Sequence, residues 1–248
     1  MANATFEIYR GNTTGGNLEK YDIDISEGMV VLDAVLQIQA DQANDLAVRW
    51  NCKAGHCGSC SAEVNGHPKL MCMSRLNEIP LDKPITIRPM KAFPLLKDLV
   101  TDVSWNYGVK KKIKKFKPRP PDAEDGTWRM DQEDIDRVQE FRKCIECFLC
   151  QDVCHVLREH HMHNEFIGPR FLVHIAGLEM HPLDVEDRME DLKNTDGIGL
   201  CNITKCCTNV CPQDILITDN AIIPLKERVV DRYYDPLKKL FNLFKSKK

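Results

Sequence analysis

Twelve cysteines fall into three blocks, and the last two blocks share one spacing. Cys144, Cys147, Cys150 and Cys154 step by 3, 3 and 4 residues. Cys201, Thr204, Cys207 and Cys211 repeat those steps, and Pro212 follows. C-x2-C-x2-C-x3-C-P is the spacing with which a chain holds two cubane iron–sulfur clusters, the fourth cysteine of each run ligating the other run's cluster. Exchange of fourth ligands gives Cys144, Cys147, Cys150 and Cys211 as a complete set for a 4Fe–4S cluster. The second site receives Cys154, Cys201 and Cys207, with Thr204 in the vacant ligand position. A hydroxyl is a poor substitute for a soft thiolate at iron, so this centre reads as a cube lacking one iron, 3Fe–4S. Cys206 falls outside the frame and reads as a small buried residue.

The upstream block, Cys52, Cys57, Cys60 and Cys72, has the plant-type 2Fe–2S spacing C-x4-C-x2-C…C. Gly55 and Gly58 lie inside its loop, where close turns need φ freedom and amides can be turned toward sulfur. Disulfides do not fit cysteines clustered two or three residues apart without a secretory signal. Zinc is the better rival, since C-x2-C pairs often hold it, but zinc does not explain a repeated 3-3-4 frame ending in proline. The chemistry these residues point to is the passage of single electrons.

Those loops need elements to hold them. Residues 5–10 and 21–25 alternate polar and apolar around a turn at 13–17, which predicts a hairpin. Near-helical spacing of Val31, Val35, Leu36 and Ile38 predicts a helix over 30–41. Short strands are expected at Leu46–Val48, Ser61–Val64, Lys69–Met73 and Ile85–Arg88, with an Asn65-Gly66 turn. This is a β-grasp pattern, a mixed sheet carrying one helix. After Asp131 the pattern turns helical. Ile135, Val138, Phe141 and Ile145 share a face, Gly168-Pro169 opens a helix through Leu178, and another begins near Pro224. The expected class is α+β: an N-terminal β-grasp domain over 1–107, a basic, proline-containing linker over 108–130, and a mainly α-helical two-cluster domain over 131–248. The linker's lysines read as an ordered, solvated connector rather than as a site for an anionic partner.

At 248 residues and a net charge of −3, the chain has room for two domains and no overall basic field for nucleic acid. No apolar run approaches the roughly 18 residues of a membrane span. The start, Met1-Ala2-Asn3-Ala4, enters a strand pattern at once, without a secretory or transit pattern. The expected setting is a reducing, cytosolic-facing one. Leu237, Leu240, Phe241 and Phe244 form a stripe among lysines, which reads as a helix packed on its own domain or a partner, with a membrane interface as the alternative. Of the histidines His155, His160, His161, His163, His174 and His181, most are expected on the surface. His155 is the exception, because it follows Cys154 and is placed to donate toward the cluster or a neighbouring acceptor.

With a plant-type block first and a defective two-cluster block second, the chain resembles the iron–sulfur subunits of succinate:quinone oxidoreductases, the succinate dehydrogenases and fumarate reductases. The likeness covers nearly the whole length and includes Arg49–Gly55, Cys57-Gly58-Ser59-Cys60, Phe166-Ile167-Gly168-Pro169 and Val210-Cys211-Pro212. Phe141–Cys147 and Cys201–Cys207 look most like the actinobacterial type. The resemblance implies a relay from the FAD of a flavoprotein subunit through 2Fe–2S, 4Fe–4S and 3Fe–4S to a membrane quinone. It also implies transmembrane anchor subunits, with haem in the anchor left open, and a peripheral place on the cytoplasmic face of a prokaryotic cell membrane. No residue here need act as acid or base, since the cofactors carry the chemistry. Alternatives are fumarate reduction in the reverse direction or a relay for another flavin-dependent dehydrogenase, the latter disfavoured by residues 1–105. Many relatives have proline after the equivalent of Cys154 and histidine after that of Cys201. Here His155 and Asn202 stand instead, so the quinone contacts do not carry over. The expectation is a menaquinone-class acceptor with His155 and Asn202 in its vicinity.

Overall fold

The computed structural model describes residues 2–235. The lysine-rich stripe beyond Asp235 lies outside the described residues. Alternation buries Phe6 and Ile8 completely on one face of β1 (Ala2–Asn12). That strand pairs antiparallel with β2 (Gly15–Ile25) from Ala2↔Ile25 to Asn12↔Gly15. The expected hairpin is therefore present, with longer strands and only Thr13 and Thr14 in the turn. Asn12 Oδ1 accepts the Thr14 amide at 2.9 Å and its hydroxyl at 2.7 Å, so the Asn side chain closes the turn. A Cβ on Gly16 would lie 2.2 Å from the Arg10 carbonyl oxygen, so only glycine fits there.

Helix α1 (Val31–Asp41) buries Val31, Leu32, Val35 and Ile38, and Asp33 Oδ2 accepts the Val30 amide at its start. The sheet is completed by β3 (Ser61–Val64), β4 (His67–Leu70), β5 (Ile85–Arg88), β6 (Leu95–Lys97) and β7 (Val100–Thr101). The order is β4-β3-β5-β1-β6-β7, with β2 on β1. β1 and β5 run parallel while β3 lies antiparallel to β5, giving the mixed β-grasp sheet.

Two expected strands differ. Leu46–Val48 joins no ladder: the Ala47 amide donates to the buried carboxylate of Asp98 at 2.8 Å, and the Leu99 amide donates to the Ala47 carbonyl. A side chain there does what a neighbouring strand would. The strand expected over Lys69–Met73 stops at Leu70, and Met71–Met73 tightens into a 3₁₀ turn that buries Cys72.

α2 (Ser104–Lys112) carries the chain into the lysine run. That run is an ordered connector. Lys110 pairs with Glu146 and Lys114 with Asp191, while the Arg119 amide donates to the Leu183 carbonyl at 2.8 Å. Arg188, 1% exposed, donates to the carbonyls of Lys114 and Lys115 at 2.8 and 2.7 Å and pairs with Asp184.

The rest is helical: α3 (Gln132–Gln139), α4 (Leu149–Asp152), α5 (His155–Arg158), α6 (Pro169–Glu179), α7 (Met189–Asn194), α8 (Cys206–Asn209) and α9 (Ile223–Tyr233). α6 starts where Gly168-Pro169 predicts. Gly168, at φ +81, leaves room for Gln151 Oε1, which accepts the Arg170 amide at 3.2 Å.

Two apolar cores form, and they interlock. Met90, Ala92 and Phe93, just after β5, belong to the helical core. Cys147 and Leu149 belong to the sheet core. Each half thus completes its burial with side chains from the other.

Candidate iron–sulfur centres

The 52–60 loop coils around sulfur. The amides of Ala54 and His56 donate to Cys52 Sγ at 3.4 and 3.3 Å, and the Cys52 amide to Cys57 Sγ at 3.5 Å. Positive φ at Lys53, Gly55 and Gly58 turns those amides inward. Burial would raise the Cys57 thiol, but hydrogen bonds from Cys52 and Ser59 outweigh it and bring the group down to about 7. Cys60 meets Cys72 from the 3₁₀ turn, and burial pushes Cys60 up to about 12.

The two 3-3-4 runs are the same structure twice. Each follows a 3₁₀ turn, Glu140–Lys143 or Ile198–Leu200. Two residues past the first cysteine, Glu146 and Ile203 have φ of 56° and 61°; four past it, Phe148 and Lys205 have 62° and 61°. A short helix then begins, α4 in one run and α8 in the other. By this register Thr204 stands where Cys147 does, and Cys206 where Leu149 does.

The structure brings the expected sets together. Cys144, Cys147, Cys150 and Cys211 wall one cavity. Cys154, Cys201, Cys207 and Thr204 wall another, and His155 and Asn202 lie in the same wall. α4 carries Cys150, on the first cavity, and is followed two residues later by Cys154, on the second; α8 carries Cys207, on the second, and is followed two residues later by Cys211, on the first. Exchange of the fourth thiol is thereby built into two single helical turns.

Cys206 corrects the sequence reading. It is half-buried, shares the second cavity, and its Sγ lies 3.2 Å from Thr204 Oγ1. Hydrogen bonding to Cys207 leads in lowering the Cys206 thiol, with Thr204 and His155 adding to it against burial; the same bond, with burial, raises Cys207. Its sequence neighbour gives no sign of this, because the direction of the side chain depends on the left-handed Lys205.

The histidines are also less uniformly on the surface than expected. His160 and His161 are exposed, but His163 Nε2 lies 2.9 Å from the Ala92 carbonyl. Burial, aided by Arg170 and Lys110, pushes His174 down to about 4. His155 is half-buried and lies in the wall of the second cavity together with Cys206.

Thiol chemistry fits iron. Burial pushes Cys147 up to about 12 and Cys154 to about 11, and raises Cys150 and Cys211. Buried thiols ionise reluctantly, and a bound metal core displaces such protons outright. The three sites also lie in sequence through the fold. A Cβ on Gly58 would sit 2.5 Å from Cys147 Cα, Ser61 Oγ donates to the Cys147 carbonyl at 2.9 Å, and Gln213 Nε2 donates to the Gly55 carbonyl. The plant-type loop therefore touches the first cavity, and α4 and α8 join the first cavity to the second.

A β-grasp domain with a thiol loop, joined to a duplicated cysteine frame among helices, defines an iron–sulfur electron carrier. Residues 5–107 match the 2Fe-2S iron-sulfur cluster binding domain, and residues 140–215 the 4Fe-4S dicluster domain. The fumarate reductase iron-sulfur subunit of Mycobacterium tuberculosis is 30% identical over 79% of this chain and 80% of its own. The succinate dehydrogenase iron-sulfur subunit of Paracoccus denitrificans is 29% identical over 92% of this chain and 88% of its own. A chain of the solved Mycobacterium smegmatis Sdh1 complex in the apo form is 56% identical, with a TM-score of 0.91, over 94% of this chain and 98% of that one. The chain belongs to the family of succinate dehydrogenase and fumarate reductase iron–sulfur subunits, the electron-transfer parts of an oxidoreductase complex.

Proposed function

We propose that this chain is the relay of a succinate dehydrogenase working in the direction of succinate oxidation, carrying electrons from an FAD flavoprotein to a menaquinone-class acceptor. The likeness to a chain of an Sdh1 complex at 56% identity favours oxidation over fumarate reduction. In this reading Cys52, Cys57, Cys60 and Cys72 hold 2Fe–2S; Cys144, Cys147, Cys150 and Cys211 hold 4Fe–4S; Cys154, Cys201 and Cys207 hold 3Fe–4S. When bound, these groups supply three one-electron carriers in that order. The protein's own residues position them: amides of Ala54 and His56 orient Cys52, and the Gly58–Cys147 contact sets the first step of the line.

The division at 1–107, 108–130 and 131–248 belongs to the same reading, supported by the two apolar cores. Trp50, 45% exposed beside the exposed Cys52, marks the face a flavoprotein would cover. Among the described residues no helix is long and apolar enough to cross a membrane. In this reading the chain sits peripherally on the cytoplasmic face, held by anchor subunits, with the quinone near His155 and Asn202.

The observation that carries the proposal is the duplicated backbone with oxygen at one ligand corner. Low-temperature electron paramagnetic resonance of the intact complex tests it. Three distinct centres are expected, one visible in the oxidised state, with about nine irons per chain. Two cubane signals without an oxidised three-iron signal would refute it.

A further inference from the structure

Arg170 is a buried cation that the cysteine frame does not explain. It is the second residue of α6, and its side chain is 6% exposed. Nη2 donates to Glu146 Oε1 at 2.6 Å, and Glu146 also pairs with Lys110. Two cations thus share one carboxylate, leaving a net positive charge on the cluster of three. Nε is buried and has no hydrogen-bond partner among the described residues. Leaving a charged donor buried without an acceptor is costly, so such donors mark a missing partner.

The wall that contains Cys144, Cys147, Cys150 and Cys211 also contains Arg170. The acceptors that this cavity supplies when loaded are thiolate and sulfide sulfur. By contrast, Lys205 at the second cavity is 52% exposed and paired with Asp219 at 2.7 Å. The buried, under-satisfied cation therefore belongs to one centre alone. Cluster potentials respond to net charge and to hydrogen bonds to sulfur.

We infer that Arg170 is a positioning residue for the electron at the first cubane: its Nε–H hydrogen-bonds a sulfur of that centre, and its charge favours the reduced form. This rests on the ligand set proposed above. Glu146, set between Cys144 and Cys147 by its left-handed backbone, holds the guanidinium in place.

A redox titration of the intact complex, followed by paramagnetic resonance, tests it. Arg170→Gln is expected to lower the 4Fe–4S midpoint by about 59 mV, a tenfold change in the reduced-to-oxidised ratio at fixed potential. The 2Fe–2S and 3Fe–4S midpoints are expected to stay in place. Arg170→Lys keeps the charge but lacks Nε–H, and is expected to lower the 4Fe–4S midpoint less. An unchanged 4Fe–4S midpoint in Arg170→Gln, or equal movement of all three centres, overturns the inference. A lysine variant with the wild-type midpoint overturns the hydrogen bond. Should the variants fail to assemble, wild-type complex labelled with ¹⁵N-arginine still decides. Double resonance on the reduced 4Fe–4S signal is expected to show a nitrogen coupling, and its absence overturns the inference. Lack of any reduced 4Fe–4S signal in the wild type would instead refute the ligand set.

Discussion

Thr204 takes the register position that Cys147 fills in the first run, and the exchange of oxygen for sulfur there sets the expected iron count of the second centre. Thr204→Cys is accordingly expected to convert the oxidised three-iron signal toward a cubane, while Cys206→Ser leaves it intact; persistence of the signal in Thr204→Cys would point to a different frame. Gly58 makes a second test at this scale. Its φ of +69 and a virtual Cβ 2.5 Å from Cys147 Cα leave no room for alanine. The left-handed backbone alone costs about 1–2 kcal/mol, so Gly58→Ala is expected to lower the melting temperature of the complex and to disturb the 2Fe–2S signal. The proposed ligand residues were legible because their spacing is local and repeated. Cys206 and Arg170 were not, since their orientation depends on a left-handed backbone in one case and on a helix start made by Gln151 in the other.

Among the elements, α4 carries the most consequence for its four residues. Leu149, 1% exposed, plugs the sheet core from the helical side, and Leu149→Ala is expected to cost about 2–5 kcal/mol, readable as a lower melting temperature with both halves affected together. Asp152 on the same turn is fully buried. It accepts the Ala92 amide at 2.9 Å on one oxygen, while the other has no hydrogen-bond partner among the described residues and lies 3.8 Å from Arg158 Nη1, which also pairs with Glu63. Burial first, then Glu63, pushes Asp152 from 3.8 up to about 7. The folded protein therefore holds this proton more tightly than the unfolded chain does. Its stabilisation is complete below 3.8 and is lost as pH rises through about 7. Asp152→Asn is expected to flatten the decline in melting temperature as pH rises from about 4 to about 7; an unaltered slope would sink this account. The hairpin, α1 and α6 were readable from alternation, helical spacing and Gly-Pro. Leu46–Val48 was misread as a strand because its partner is the Asp98 carboxylate, a contact that spacing cannot display.

At the scale of the molecule, the halves are separate in sequence pattern yet joined in packing. Met90 and Phe93 fill the helical core, and Leu149 fills the sheet core. The net charge of −3 hides a connector in which Lys110 and Lys114 are tied down by Glu146 and Asp191 and whose backbone is held by Arg188. That connector explains how a basic run can serve architecture without a polyanion. The single turns α4 and α8 each carry a thiol of one cavity and lead into a thiol of the other, and this bears on how the two are filled. If the proposed clusters fill these cavities, ordering the walls of one is expected to order the walls of the other, so that the two load together. Iron starvation is then expected to yield a bimodal population in native mass spectrometry, chains carrying both cores alongside chains carrying neither, with few intermediates.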